Sequence, residues 1–228
     1  MTGLQFPTLK ERVYYTLRDL IVTGGIPAGS QLDERELAER LQISRTPLRE
    51  AISTLAREGV IEYRPYKGSF VRTFSAKDVR DLYEVRKALE ALAVRLAVAN
   101  LTEAGVEILL DVLREVQDAI DDNDLERLSE ADQRFHATIA KLSGNHTLVD
   151  QLDRLGLQVQ VVRSIANRAP GVVERTIGER QRILKAITRR DADRAVQLME
   201  HHIEGVCAAV VSQLEGVVSV GGGVDGPH

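Results

Sequence analysis

The sequence predicts a mainly α protein in two parts: three helices closed by a β-hairpin, then an all-α antiparallel bundle of about six helices. Three observations carry this. Two short helical patterns meet at a tight turn within residues 34–58, and a hairpin pattern follows them. Beyond Phe74 proline nearly vanishes until Pro170, and helical periodicity takes over.

In the first part, residues 9–22 form a helix with Val13, Leu17, Leu20 and Ile21 inward. Gly24-Gly25 end it, and Ile26-Pro27-Ala28-Gly29 turns the chain. Residues 34–41 give a second helix and residues 43–58 a third, which Gly59 stops. Ser44 suits its N-cap, and Pro47 fits a first turn, where a missing N–H costs nothing. Leu48, Ile52 and Leu55 make its apolar stripe, so Arg45, Thr46 and Arg49 remain on the outer face of its N-terminal turn. Cations there oppose the helix dipole, which suits a helix built to meet an anion. Residues 60–64 and 69–73 pattern as strands around Pro65-Tyr66-Lys67-Gly68, a basic, glycine-containing hairpin tip. The order is that of a winged helix-turn-helix, whose second motif helix reaches base edges and phosphates in the major groove. The plainer reading is a small helical domain with solvated arginines.

Six helices follow, over residues 75–100, 102–122, 124–143, 145–168, 172–190 and 191–214. Ser75 is the N-cap of the first. The breaks at 100–101, 121–123, 143–144, 169–171 and 190–191 are short, which favours antiparallel packing. Residues 216–228, rich in glycine, read as a disordered tail. The expected domains are therefore 1–74, 75–215 and the tail.

A net charge of −4 argues alone against nucleic acid, but it is unevenly spread: residues 1–76 sum to +2 and residues 77–228 to −6. The single cysteine, Cys207, excludes an internal disulfide and reads as a packed residue in an apolar run. No signal-type segment or apolar run near 18 residues is present, so a cytoplasmic protein with no membrane partner is expected.

Chemistry in the bundle lies where apolar stripes are broken. Arg86 interrupts Val79, Leu82, Leu89, Ala93 and Leu96. Asp132 interrupts Leu125, Leu128, Phe135, Ile139 and Leu142, with His136 four residues on. Arg180 interrupts Val173, Ile177, Leu184 and Ile187, and His202 interrupts Ala195, Met199, Val206 and Ala209. An unpaired buried charge costs several kcal/mol, so such groups must meet each other, a metal or a ligand, which predicts a polar cavity. For Arg86, a simple pair with Glu90 or Asp132 competes with a ligand role. Charge runs such as Glu174-Arg175 and Arg189-Arg190-Asp191 read as solvated faces.

Residues 25–32, Glu36-Leu37-Ala38, the run from Ser44 to Ala51, Glu58-Gly59 and Lys67-Gly68 closely resemble the DNA-binding domain of GntR-family bacterial transcription regulators, over about residues 8–74. The resemblance implies a homodimer on a short inverted-repeat operator, with Arg35, Ser44, Arg45, Thr46, Arg49, Lys67 and Gly68 at the DNA. Residues 76–214 resemble the all-helical FCD domain of the FadR-type branch. The resemblance rests on Leu82-Tyr83-Glu84-Val85-Arg86, Leu89-Glu90, Asp132 with Phe135-His136, Gly144-Asn145, Glu179 and His202-Ile203. It places an effector site at Asp132, His136 and His202, to which the broken stripes add Arg86 and Arg180. In many relatives an Asp and three His hold a divalent metal there. Asp132, His136 and His202 match, but the fourth position is Arg180. Arginine has no free lone pair and would repel a cation. The expectation is thus no resident cofactor, a zinc or nickel ion having only an incomplete ligand set, with the guanidinium offered to a carboxylate.

The expected function is a ligand-responsive regulator, with a small organic acid acting on the helical domain. The alternatives are a metal-dependent enzyme built on Asp132, His136 and His202, or a DNA-binding protein whose bundle only dimerises.

Overall fold

The computed structural model describes residues 8–122, 124–166 and 172–221, which are mainly helical. They fall in two compact units divided between Thr73 and Phe74.

The first unit holds α1 (Leu9–Val22), α2 (Glu34–Arg40), α3 (Arg45–Arg57), β1 (Ile61–Arg64) and β2 (Gly68–Val71). Thr8 and Glu11 close a capping box at the start of α1, and Asp33 caps α2 through its side chain. Val13, Leu17 and Ile21 bury against Leu48, Ile52 and Leu55 of α3. Leu20, expected inward, is only half-buried: Ile21 takes the inward position beside it. Gln42, at φ 53°, makes the tight turn between α2 and α3. Ser44 has N-cap backbone geometry, but its side chain makes no capping hydrogen bond. β1 and β2 pair antiparallel from Ile61 opposite Val71 to Arg64 opposite Gly68. The second strand therefore begins one residue earlier than expected, and Gly68 belongs to β2 rather than to the tip. Gln31 bridges to Phe70, adding a short third edge that the sequence pattern did not reveal.

The second unit packs α4 (Ala76–Ala99), α5 (Glu103–Asp121), α6 (Leu125–Leu142), α7 (His146–Ala166), α8 (Val172–Thr188) and α9 (Ala192–Gly221). Ser75 and Asp78 form a capping box on α4. Gly144, at φ 68°, and Asn145, whose side chain accepts from Leu148 N–H at 3.1 Å, set the turn into α7. Val79, Tyr83, Val94, Phe135, Ile139, Ile183, Ile187, Met199 and Ile203 are buried together.

Four expectations are corrected. α9 continues to Gly221, seven residues past the predicted end at Leu214, so the tail cannot begin at Gly216; residues 222–228 lie outside the described residues, as does the break at 169–171. Cys207 is half-buried at the edge of a groove between α4 and α9, since Val206 and Val210 take the inward positions of that turn. On α8 the buried stripe is Val172, Thr176, Glu179, Arg180 and Ile183, one residue round from the predicted Val173 and Ile177. Arg190 is not merely solvated: it donates to the carbonyl of Val98, in the last turn of α4, at 3.4 Å and to that of Leu101, just beyond the helix, at 2.7 Å. No helix among the described residues is long and apolar enough to cross a membrane.

Candidate functional site

The outer face of α3 brings Arg45 and Arg49 together, one turn apart, with side chains more than half exposed. Both donate to one carboxylate oxygen of Glu34 on α2, at 3.1 and 2.6 Å. Burial opposes ionisation of Glu34, but the hydrogen bonds from Arg49 and Arg45 outweigh it and hold its carboxyl below the usual range. The sequence reading missed Glu34, because nothing in one-dimensional spacing shows a contact across 11 and 15 residues. Ser44 and Arg35 lie beside Arg45 around a shallow concavity, with Arg35 turned to Glu39 at 3.2 Å. Thr46 is exposed on the same first turn. On the wing, Gly68 has φ 92°, a conformation side chains disfavour, and the Lys67 carbonyl accepts from Gln31 Nε2 at 2.7 Å.

In the bundle, α4, α6, α8 and α9 do bring Arg86, Asp132, His136, Arg180 and His202 together, all but His136 almost fully buried. They meet three groups that the sequence reading had not placed at the site: Glu90, Arg163 and Glu179. Arg163 has a weak signal in the sequence, a charge directly after Val161 and Val162 on α7, where Gln160 and Ser164 also break the apolar pattern. The two glutamates follow from their neighbours: one turn separates Glu90 from Arg86, which donates to it at 2.8 Å, and Arg175 donates to Glu179 at 3.0 Å.

Asp132 is the centre of charge. Arg180 Nη2 donates to its Oδ1, and Arg163 Nη1 is paired with its Oδ2. Two guanidinium groups thus share one carboxylate, and the Nε of each has no partner among the described residues. Burial, and then repulsion from Arg180 and Arg86, lowers Arg163 well below the usual arginine value. Burial likewise pushes Arg180 down to about 9, although Glu179 pulls the other way. Arginine keeps its proton in proteins, so these shifts mark the cost of burying two guanidinium groups side by side.

The imidazoles are held from behind. His136 Nδ1 lies 2.5 Å from Glu90 Oε2, and His202 Nδ1 lies 2.7 Å from Glu179 Oε2. The rings stack at 5.5 Å, and both Nε2 atoms are buried without a partner among the described residues. Burial lowers the pKa of each; for His136 it outweighs the pull of Glu90, and for His202 Arg180 adds to it. One electron-pair donor from each of Asp132, His136 and His202 lies within 4.8 Å of the others, a spacing that could hold a metal ion. The chemistry does not fit one: Asp132 already serves two guanidiniums, and a divalent cation would join three buried arginines. Arg86, Glu90, Asp132, His136, Gly156 and Arg163 line a cavity of about 90 Å³ between α4, α6 and α7.

Residues 81–205 match the family described as FCD domain, and residues 9–71 match the bacterial regulatory proteins of the gntR family. The HTH-type transcriptional repressor RspR of Escherichia coli strain K12 is 29% identical over 202 residues, 89% of each chain. An uncharacterized HTH-type regulator of Streptomyces ambofaciens is 31% identical, over 87% of this chain and 84% of that protein. A probable D-xylose utilization operon repressor of Paenarthrobacter nicotinovorans is 29% identical, over 88% and 90%. Among solved structures, E. coli McbR/YncC superposes with a TM-score of 0.78 at 23% identity, over 91% of this chain and 99% of that one. A GntR regulator from Rhodococcus sp. RHA1 follows at 0.75 and 22%, over 89% and 97%.

Proposed function

This chain belongs to the GntR family of bacterial transcriptional regulators and carries an FCD domain; from that premise we propose that it is a metabolite-controlled DNA-binding dimer, acting in the cytoplasm, whose helical unit takes a small carboxylate without a metal. Arg35, Ser44, Arg45, Thr46 and Arg49 meet a short inverted-repeat operator, and Lys67 and Gly68 bring the wing to it. Repression is the direction suggested by the names of RspR and the D-xylose operon repressor.

The observation that carries the effector reading is the shared carboxylate. Arg163 and Arg180 share Asp132 alone, because Glu90 is taken by Arg86 and Glu179 by Arg175; four guanidinium groups thus meet three carboxylates, beside two Nε–H donors without a partner among the described residues. A ligand carboxylate supplies both the charge and the acceptors. Arg86, expected at the effector site, is paired with Glu90, and it contributes through its unpartnered Nη1. A bundle that served only dimerisation would have no use for this imbalance, which costs stability.

Elemental analysis and thermal melting of the purified protein test the reading together. Less than one zinc or nickel per chain is expected, with a rise in melting temperature on adding small organic acids that persists in chelator. One tightly held metal per chain, or no response to any anion, would overturn it.

A further inference from the structure

The turn at the tip of the wing carries a side chain that its backbone disfavours. Lys67 N–H donates to the Arg64 carbonyl at 3.0 Å, closing a four-residue turn with Pro65 and Tyr66 at its centre. Proline, with its fixed φ, suits the first central position. Tyr66, in the second, takes φ 62°, a value that such turns reserve for glycine or asparagine because a Cβ crowds the backbone there. Packing does not offset the strain. Tyr66 is fully exposed, and it and Tyr63, at 71%, are the most exposed large hydrophobic side chains among the described residues. The turn is nevertheless held firmly: Gln31 Nε2 donates to the Lys67 carbonyl at 2.7 Å, and Arg64 lies over the Phe70 ring at 4.3 Å. A braced, strained turn that offers one aromatic side chain to solvent has its use outside the chain.

With α3 in the major groove, the duplex surface left to the hairpin is the backbone and minor groove beside it. Gln31 lies two residues before the Asp33 cap of α2, so the tip is tied to the helix-turn-helix itself. We infer that Tyr66 reads the minor groove: its ring enters edge-on flanking each half-site, and its hydroxyl donates to the N3 or O2 acceptor of an A·T pair. This rests on the wing placement proposed above and gives the wing a base-reading residue beside the charge of Lys67. A minor groove about 6 Å wide admits a ring only edge-on, and A·T pairs show it acceptors alone. A G·C pair adds the guanine 2-amino group, a donor that fills the floor of the groove and faces the hydroxyl proton. The contact therefore separates A·T from G·C and treats A·T and T·A alike.

Selection from a randomised duplex library, followed by binding to the selected duplex, tests this with the full-length protein. Wild type should enrich A·T at a position flanking each half-site. Placing G·C there should weaken its binding about tenfold. Inosine·cytosine at the same position should restore most of the loss, because it keeps the major-groove edge of G·C and lacks the 2-amino group. Tyr66→Gly should bind the selected duplex about tenfold more weakly and treat all three pairs alike, while the positions read by α3 stay selected. Its melting should stay close to that of wild type, since glycine takes φ 62° without strain while loosening the unfolded chain. Tyr66→Phe, which removes only the donor, should bind between the two. Full-strength binding by either variant, or wild-type binding that does not tell G·C from inosine·cytosine, would overturn the inference and leave the α3 reading intact. A wild type that enriches no duplex would sink the DNA-binding reading itself.

Discussion

At Glu34 one carboxylate ties down two arginines that would otherwise repel each other one turn apart on α3. Its charge also faces any phosphate that approaches them. Glu34→Gln should therefore raise affinity for random-sequence duplex and blunt discrimination, since freed arginines will settle on phosphates. Selection from a randomised duplex library would show a less informative site for the variant. Arg49→Ala should instead cost about 1–3 kcal/mol of affinity for the selected site with the fold intact. Equal selectivity of Glu34→Gln and wild type would mean that the bridge is incidental. In the bundle, Arg180→His replaces the guanidinium on Asp132 with a neutral imidazole near His136 and His202. Zinc retained after dialysis is expected in this variant and not in wild type. Wild type retaining as much would show that Arg180 does not exclude the ion.

Elements were more legible than their contacts. Eight of the nine helices among the described residues end close to breaks visible in the sequence, because starts and stops have local causes such as the caps at Ser75 and Asn145 and the glycines at 59 and 144; α9 runs past its predicted end. Strand register was not local: it depends on pairing of Gln31 with Phe70 and on Gly68 accepting φ 92° within β2. A Cβ at Gly68 would touch only Gln31 Nε2, at 3.6 Å, so the penalty in Gly68→Val is backbone strain. That variant should weaken operator binding in gel shift while the melting of the helical unit stays put. Unchanged binding would take the wing off the DNA. For α6 and α9 the unfolded chain protonates both imidazoles below about pH 6.5, whereas the folded site, with both pKa values lowered, does so only at lower pH. Stability should consequently fall as pH drops below 6.5, by about 1.4 kcal/mol per unit for each imidazole, until the folded values are reached. Urea unfolding at pH 7.5 and 5.5 measures this, and a flat profile would contradict the buried neutral pair.

For the whole molecule, the uneven charge, +2 over residues 1–76 and −6 beyond, confines DNA attraction to one unit. Regulation then requires that the acid and the operator bias the same conformational equilibrium. Coupling of this kind is typically about 1–3 kcal/mol and is reciprocal. Whatever factor a saturating acid applies to operator affinity, saturating operator should apply to acid affinity. Titrations in both orders check it. An acid that binds the helical unit and leaves operator affinity unchanged would make the cavity a storage or structural site rather than a sensor.

The sequence by itself determined the class of fold, the family, the recognition helix with Arg45 and Arg49, and the identity of five ionisable residues aimed into the bundle. Periodicity and capping act over a few residues, so they can be read along one dimension. Tertiary structure alone decided which charges meet: Glu34 with both arginines, and Asp132 between Arg163 and Arg180, partners separated by 31 and 48 positions. It also decided which ring nitrogens Glu90 and Glu179 occupy, leaving both Nε2 atoms without a partner among the described residues. Charge balance and hydrogen-bond direction depend on distances of a few ångströms between helices, and helical spacing fixes only the face a residue occupies, not the residue it will find there.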